Sequence, residues 1–313
     1  MLVQLASMRD AFAEALLELG ARDQRIVVLG ADTSVSIKTS LFGDRYPGRF
    51  FNVGIAEANM IGIAAGLALA GKGPFVSTYS AFVPGKCFDQ IRNAVAYPNL
   101  DVKIVSSHGG LTVGPDGASH QTVEDVAAMR AVPRMRVVVP ADAPSTRVLV
   151  TQAAGIPGPF YIRLSRPNVP TIYSPGAELA VGTANVLREG SDVSIVACGL
   201  LVNEALEAAD VLSKTGVRAE VVDSHTVKPL DAETIIRSAR KTGAVVTAEE
   251  HNILGGLGGA VAEAVSETHP VPVRRVGVRD TFGESGEHQE LMAKYGLTSR
   301  ELVQAAKTIV RAR

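Results

Sequence analysis

The sequence predicts an α/β fold with two successive domains, a larger one at residues 1–172 and a smaller one at 186–313. Short apolar runs alternate with helical stretches along the chain, which is typical of a parallel sheet with helices on both faces. The length of 313 residues also favours two domains over one. The alternation is interrupted at 168–178 by a segment rich in Pro, Gly and Tyr, so we expect a linker at 173–185.

Capping residues and apolar runs define the elements of the first domain. Ser7 is expected to cap a helix that ends at Gly20, and Thr122 to open another with Glu124 and Asp125 in its first turn. Further helices are expected after Glu57 and over 85–97, and strands at 25–30, 74–78, 102–107, 137–140 and 160–165. Ligands bind beyond the carboxyl ends of such strands. The loops expected to carry a site are therefore 30–46, 78–85, 107–121 and 164–169.

The second domain repeats the pattern on a smaller scale. Apolar runs and helical stretches alternate after the linker, and two helices close the chain. The strand-like runs are DVSIVACG, RAEVVDS, AVVTAEE and VRRVGV, and the closing helices are expected around 287–294 and 298–310. We therefore expect a second sheet, also mostly parallel.

The composition indicates a soluble globular protein, with 46% hydrophobic and 20% charged residues and a net charge of −1. No block of Lys or Arg suggests nucleic acid or an anionic membrane as a partner. The apolar run 60–71 is too short to cross a bilayer, and the N-terminus lacks a basic segment followed by an apolar one. We expect a cytoplasmic protein in which Cys87 and Cys198 are buried structural thiols.

Glu57 is the only ionisable side chain in the stretch FNVGIAEANMIGIAAGLALAG, residues 51–71. A carboxylate in such surroundings is costly to bury unless something binds it. One interpretation is structural: with Gly54 as N-cap, Glu57 would be the third helical residue and reach back to the cap. The other interpretation is a ligand site, and this segment alone leaves both open.

Three further stretches contain residues suited to chemistry. Tyr79 and Phe82 follow a strand, where they form either a pocket wall or ordinary core. The glycine-rich loop SSHGGLTVGPDGASHQ carries His108, Asp116 and His120. The run YIRLSRPN places Arg163 and Arg166 after a strand, and they are either phosphate ligands or surface arginines.

Read in order, several of these stretches resemble the pyrimidine-binding domain of the transketolase family over roughly residues 5 to 170. The matching runs are VGIAEANMIGIAAGLALAG, TYSAF, HGGLTVGPDGASHQ, PADAPS and IRLSRPN. TAEEHNILGGLGG and DTFGESGEHQELMAKYGLT are similar to the family's C-terminal domain. The Gly-Ile-Ala-Glu and Asp-Gly-x-x-His-Gln elements are specific when they occur together.

The resemblance implies a thiamine diphosphate enzyme that transfers a two-carbon ketol unit from a ketose phosphate to an aldose, as in the pentose phosphate pathway. Glu57 matches the glutamate that hydrogen-bonds N1′ of the cofactor's aminopyrimidine. The resemblance assigns the other residues to three groups. They are Tyr79, Phe82 and Asp32 at the cofactor; His120 and Asp116 at the donor hydroxyls; and His108, Ser36, Arg166 and Arg9 at the sugar phosphate, with Arg163 as an alternative to Arg166.

The sequence departs from the family in two respects. Gly85 stands where the family often has an aromatic residue or an arginine. The Gly-Asp-Gly…Asn motif that binds Mg²⁺ and diphosphate in this superfamily is not found. The resemblance therefore implies a split enzyme of α2β2 type, in which a second chain supplies that motif and this chain has no metal ligands.

Three alternatives remain open. Deoxyxylulose phosphate synthase shares the Glu and Asp-Gly-x-x-His elements but usually has Arg at the position of His108. The beta subunit of a 2-oxoacid dehydrogenase E1 component is also a separate chain of this length. A non-catalytic binding module that kept the fold is the third. Within the transketolases, a branched or sulfonated sugar is also compatible with these residues.

Overall fold

The structure is a computed structural model, and it describes residues 4–311. Its strands are β1 (Leu5–Ala6), β2 (Ile26–Gly30), β3 (Phe50–Asn52), β4 (Gly73–Ser77), β5 (Lys103–Ser106), β6 (Arg136–Val138), β7 (Phe160–Arg163), β8 (Val169–Pro170), β9 (Asn185–Arg188), β10 (Val193–Ala197), β11 (Ala219–Asp223), β12 (Thr226–Lys228), β13 (Val245–Asn252) and β14 (Val273–Val278).

The α-helices within these residues are α1 (Met8–Arg22), α2 (Ser34–Ile37), α3 (Ser40–Arg45), α4 (Glu57–Leu69), α5 (Val83–Lys86), α6 (Phe88–Gln90), α7 (Asp125–Ala131), α8 (Ala143–Gly155), α9 (Leu201–Ser213), α10 (Ala232–Thr242), α11 (Leu257–Thr268), α12 (His288–Lys294) and α13 (Ser299–Arg311). Two 3₁₀ segments are at Pro47–Arg49 and Leu111–Asp116, and a π-helix is at Ile91–Ala96. No helix within residues 4–311 is long and apolar enough to span a membrane.

The larger sheet has seven strands in the order β12-β6-β7-β5-β4-β2-β3. Its six strands from the first half of the chain are parallel, as the apolar runs predict. Strand β2 pairs with β3 on one side and β4 on the other. The strand order therefore reverses at β2, and the carboxyl ends of β2 and β4 open into the crevice where ligands of such sheets bind.

The second sheet has five strands in the order β14-β13-β10-β11-β9, parallel except for the edge strand β9. Strand β12 comes from the same half of the chain, but it pairs antiparallel with β6 of the larger sheet, so that Thr226 lies opposite Val138. This pairing covers an otherwise open edge and joins the two halves through backbone hydrogen bonds. Short apolar runs do not predict this pairing.

Several predicted helix ends are wrong, and the causes are local. Ser7 does cap α1, accepting from Asp10 N at 3.2 Å, but the helix continues to Arg22. Gly20 lies inside the helix and does not end it. The position requires glycine because a Cβ there would be 2.5 Å from the Phe42 ring. Helix α7 begins at Asp125 rather than at Thr122. The helix expected over 85–97 is divided into α5, α6 and the π-helix.

The segment after β7 is hydrogen-bonded to both halves. Strand β8 pairs antiparallel with β1, and Asp142 Oδ2 accepts from the amides of Ile172 and Tyr173 at 2.7 and 2.8 Å. The Tyr173 hydroxyl donates to Asp223 Oδ2 at 2.8 Å across to the second sheet. The start of the predicted linker is therefore packed structure. Cys87 and Cys198 are both buried and unpaired in disulfides, as expected.

The buried Asp223 makes a testable contribution to stability. Burial raises its pKa to about 7, against the opposing hydrogen bond from Tyr173. Between about pH 4 and 7 the folded chain therefore binds a proton that the unfolded chain lacks, so the free energy of unfolding falls as pH rises. Asp223→Asn removes this dependence. We expect the fall to become shallower by up to about 1.4 kcal/mol per pH unit, measured by denaturant titration at pH 5, 6 and 7.

The control for this comparison is Asp210→Asn, since Asp210 is an exposed partner of Arg188. Its pH dependence should parallel that of the wild-type protein. If Asp223→Asn also gave a parallel curve, the carboxyl group would not retain its proton in the folded chain.

Candidate functional site

The loops after β2 and β4 meet at the reversal point of the larger sheet, and aromatic rings gather there. The rings of Tyr79 and Phe82 stack with their centroids 5.6 Å apart, and Tyr79 also stacks on the His108 ring at 4.0 Å. His120 meets Phe82 edge-on at 5.3 Å. Four residues selected from two separate stretches of sequence thus form one aromatic cluster.

Glu57 is the first residue of α4, and it is 2% exposed. The N-cap is Ala56, and no side chain caps this helix. The interpretation with Gly54 as N-cap is therefore wrong. Instead, Glu57 Oε2 accepts from Lys86 Nζ at 2.6 Å, and that nitrogen lies 5.3 Å from the centre of the Phe82 ring. The buried acid is thus connected to the aromatic cluster through Lys86.

His108 is held in an uncharged state by its surroundings. It is 2% exposed, and its backbone lies in the left-handed region with φ +61°. Burial, followed by the neighbouring Arg9, Arg166 and His120, lowers the pKa of His108 to about 3. Its Nδ1 lies 3.0 Å from the Ser107 hydroxyl. A neutral imidazole offers one hydrogen-bond donor and one acceptor to a ligand.

Arg9, Ser36 and Arg166 are brought together next to His108. Arg9 donates through Nη1 to the Ser36 carbonyl at 2.8 Å and through Nη2 to the Arg166 carbonyl at 3.0 Å. Its buried Nε has no hydrogen-bond partner within residues 4–311. Burial also lowers the pKa of Arg9 from its usual value. Arg9 and Arg166 line a cleft of about 850 Å³ that includes residues of the second half of the chain.

Arg163 does not belong to this cationic group. Its Nε donates to Asp125 Oδ2 at 2.9 Å and its Nη2 to the Glu250 carbonyl at 2.9 Å, and the side chain is 4% exposed. Burial alone lowers the pKa of this guanidinium, but Asp125 and Glu250 outweigh that effect and raise it. The expectation that Arg163 holds a phosphate therefore conflicts with the structure, because the side chain is occupied within the protein.

The two remaining predicted acids are exposed and lie on different loops. Asp32 follows β2 with φ +62°, and its amide donates to Asn52 Oδ1 at 3.0 Å. Asp116 ends the 3₁₀ segment at 111–116. Gln121, the last residue of the Asp-Gly-x-x-His-Gln element, holds this loop by donating to the carbonyls of Gly114 and Glu284 at 3.0 and 2.8 Å.

Sequence reasoning did not assign a role to Lys86, Asn52 or Gln121. The only signal for Lys86 was its position beside Gly85, where the family pattern breaks. The side chains of Asn52 and Gln121 form hydrogen bonds to backbone groups of nearby loops, and residue spacing in the sequence does not reveal such bonds. Within residues 4–311, no group of three or more His, Cys, Asp and Glu side chains is arranged to hold a metal ion.

Comparison with known proteins defines the class. Residues 4–171 match the transketolase pyrimidine-binding domain, and residues 182–302 match the transketolase C-terminal domain. The chain is 48% identical over 302 residues to the 6-deoxy-6-sulfo-D-fructose transketolase subunit SqwH of Clostridium sp. (strain MSTE9), covering 96% of this chain and 94% of that one. It is 37% identical over 308 residues to one of the subunits of the apulose-4-phosphate transketolase of Phocaeicola vulgatus, covering 98% of each chain.

A solved structure agrees with these relatives. It is a split gene transketolase described as an inactive beta4 tetramer, and it superposes with a TM-score of 0.90 at 50% identity, covering 97% of this chain and 98% of that one. The chain therefore belongs to the transketolase family and comprises its pyrimidine-binding and C-terminal domains.

The charge state of His108 can be measured directly. Because its pKa is lowered to about 3, we expect its imidazole resonances to stay constant between pH 5 and 8. The measurement is NMR of protein with ¹³C-labelled histidine, in which His108→Gln identifies the signal by its disappearance. A signal that titrates near pH 6.5 would contradict the buried, uncharged state.

Proposed function

We propose that this chain is the C-terminal subunit of a thiamine-diphosphate-dependent transketolase that moves a two-carbon ketol unit from a ketose phosphate to an aldose. The observation that carries the proposal is the buried carboxylate of Glu57, which Lys86 connects to the stacked rings of Tyr79 and Phe82. A cationic group formed by Arg9 and Arg166 lies beyond the same rings, next to His108.

The residues fit the aminopyrimidine end of thiamine diphosphate. Tyr79 and Phe82 offer aromatic faces for a planar ring, and Glu57 offers a buried acceptor for a ring nitrogen. When bound, the cofactor supplies the nucleophilic carbon and the electron sink. The part of Glu57 is to hold a proton shared with that ring nitrogen. Lys86 holds the Glu57 carboxylate in this chain and would have to release it.

The donor end of the site is proposed to bind an anionic sugar. Arg9 and Arg166 supply positive charge, the buried Arg9 Nε has no partner within residues 4–311, and neutral His108 supplies a hydrogen bond. His120 and Asp116 are assigned to the donor hydroxyls, and Asp32 to the region between cofactor and substrate. The relatives are named for a sulfonated sugar and for a sugar phosphate, and the same cations suit either anion.

The diphosphate and Mg²⁺ ligands are assigned to a partner chain with a Gly-Asp-Gly…Asn motif, in an α2β2 assembly. The related split transketolase is inactive as a beta4 tetramer, which supports this arrangement. An isolated half-site would leave the charged diphosphate without counter-ions, which is unfavourable. We also propose a cytoplasmic location and the domain boundaries 1–172 and 186–313.

The test is co-expression of this chain with such a partner and assay of ketol transfer from xylulose 5-phosphate, with thiamine diphosphate and Mg²⁺. We expect turnover by the pair and none by either chain alone. Glu57→Gln should reduce kcat of the pair at least about 100-fold, since it removes a group that participates in proton transfer. Glu14→Gln, an exposed substitution, is the control and should retain full activity.

Other outcomes identify the alternatives. Turnover by this chain alone, or full turnover with Glu57→Gln, would exclude the proposal. Condensation of pyruvate with an aldose phosphate would indicate a deoxyxylulose-phosphate-synthase type. Oxidative decarboxylation of a 2-oxoacid would indicate an E1 beta type. Binding of a sugar phosphate without thiamine diphosphate, and without turnover, would indicate a non-catalytic module.

A further inference from the structure

The glycine-rich loop that carries His108, Asp116 and His120, residues 108–121, contacts the C-terminal domain at its base. Strand β13 of that domain places the side chain of Glu250 beneath it. Glu250 Oε1 accepts from the Thr112 amide at 2.6 Å, two residues after the paired glycines of the loop. The acid is 3% exposed, and the loop residue it holds is four positions from His108.

The two glycines show how closely the loop approaches. A Cβ on Gly110, which has φ +84°, would lie 2.2 Å from the Glu250 carboxyl carbon. A Cβ on Gly109 would lie 2.4 Å from Arg163 Nε. Both positions therefore need glycine, because the backbone next to His108 rests directly on a buried acid and a buried base.

Arg163 in turn fixes the acid. Its Nη2 donates to the Glu250 carbonyl at 2.9 Å, and its Nη1 lies 3.9 Å from Glu250 Oε2. Its Nε donates to Asp125 at the start of α7. The carboxylate is thus supported by an arginine anchored in the first domain, and it reaches back into that domain through Thr112.

We propose that Glu250 is a positioning residue for ketol transfer, because it fixes the backbone of the loop at 109–112. His108 and His120 are thereby kept against Tyr79 and Phe82, and the donor sugar binds to a preformed site. This inference rests on the proposed function for the role of the loop, but not for the contact itself. It assigns to the C-terminal domain a task at the donor site, although Glu250 touches neither substrate nor cofactor.

The neighbouring residue provides a matched control. Glu249 is equally buried, but it accepts from the amides of Leu257 and Gly258 at 2.7 and 2.8 Å, within its own domain. Glu249→Ala therefore removes a buried carboxylate of the same strand and leaves the loop contact intact. A merely structural role would make the two alanine variants equivalent.

The first measurement is hydrogen exchange of the full chain, read on peptides that cover 108–121. Glu250→Ala should speed exchange in this segment at least about tenfold, because the Thr112 amide loses its acceptor. Glu250→Gln should restore most of the protection, because its amide oxygen still accepts that bond. Glu249→Ala should leave the segment unchanged. Equal exchange in Glu250→Ala and wild type, or equal effects of the two alanine variants, would overturn the inference.

The second measurement is the donor KM of the assembled pair. Glu250→Ala should raise it roughly tenfold with a smaller change in kcat, Glu250→Gln should restore it, and Glu249→Ala should leave it unchanged. A fall in kcat with unchanged KM would overturn the inference. If the pair shows no ketol transfer, the proposed function fails. The hydrogen-exchange result then still decides whether Glu250 fixes the loop backbone.

If Glu250→Ala does not fold, Gly110→Ala tests the same contact from the other side, because its methyl group displaces the loop from the carboxylate. Faster exchange over 108–121 in that variant supports the inference, and unchanged exchange overturns it.

Discussion

The arrangement of the site depends on the buried ion pair between Arg163 and Asp125. Breaking such a pair by removing one partner typically costs about 3–5 kcal/mol, because an unpaired charge remains in the interior. Asp125 also accepts from the Tyr161 hydroxyl at 2.6 Å, so two residues of β7 donate to one carboxylate oxygen at the start of α7. Since Arg163 also reaches the Glu250 carbonyl, the pair fixes the position of β13 under the glycine-rich loop.

Charge is separated along the crevice above this pair. The carboxylate of Glu57 lies at one end of the aromatic cluster, and Arg9 and Arg166 lie beyond His108 at the other. Burial, reinforced by the positive end, lowers the pKa of His108, so the imidazole contributes hydrogen bonds rather than charge. A ligand with a protonatable ring at one end and an anion at the other complements this separation.

Much of the site was predictable because strand ends of a parallel sheet converge. Tyr79, His108 and Arg166 follow predicted strands, and the fold brings such positions to one edge. Glu57 follows β3, a short strand that the apolar runs did not predict. The choice between Arg163 and Arg166 was not predictable from spacing. Arg163 is the last residue of β7 and points into the domain contact, whereas Arg166 lies in the following loop. The pairing of β12 with β6 also escaped prediction, because it joins strands that are far apart in the chain.

A glycine in this sequence either ends an element or lies where close packing leaves no space for a side chain, and only tertiary contacts distinguish the two cases. Gly20 resembled a helix end, yet it is a point of contact between helices where Phe42 leaves no space for a side chain. Gly109 and Gly110 belong to a glycine-rich loop that the sequence analysis noted only for its His and Asp residues, and they pack closely against Arg163 and Glu250. Under the proposed function this packing favours substrate binding, because a loop that is already ordered does not have to lose conformational entropy when substrate binds. The glycines therefore allow Glu250 and Arg163 to approach the backbone of the loop closely, so that the C-terminal domain can hold it.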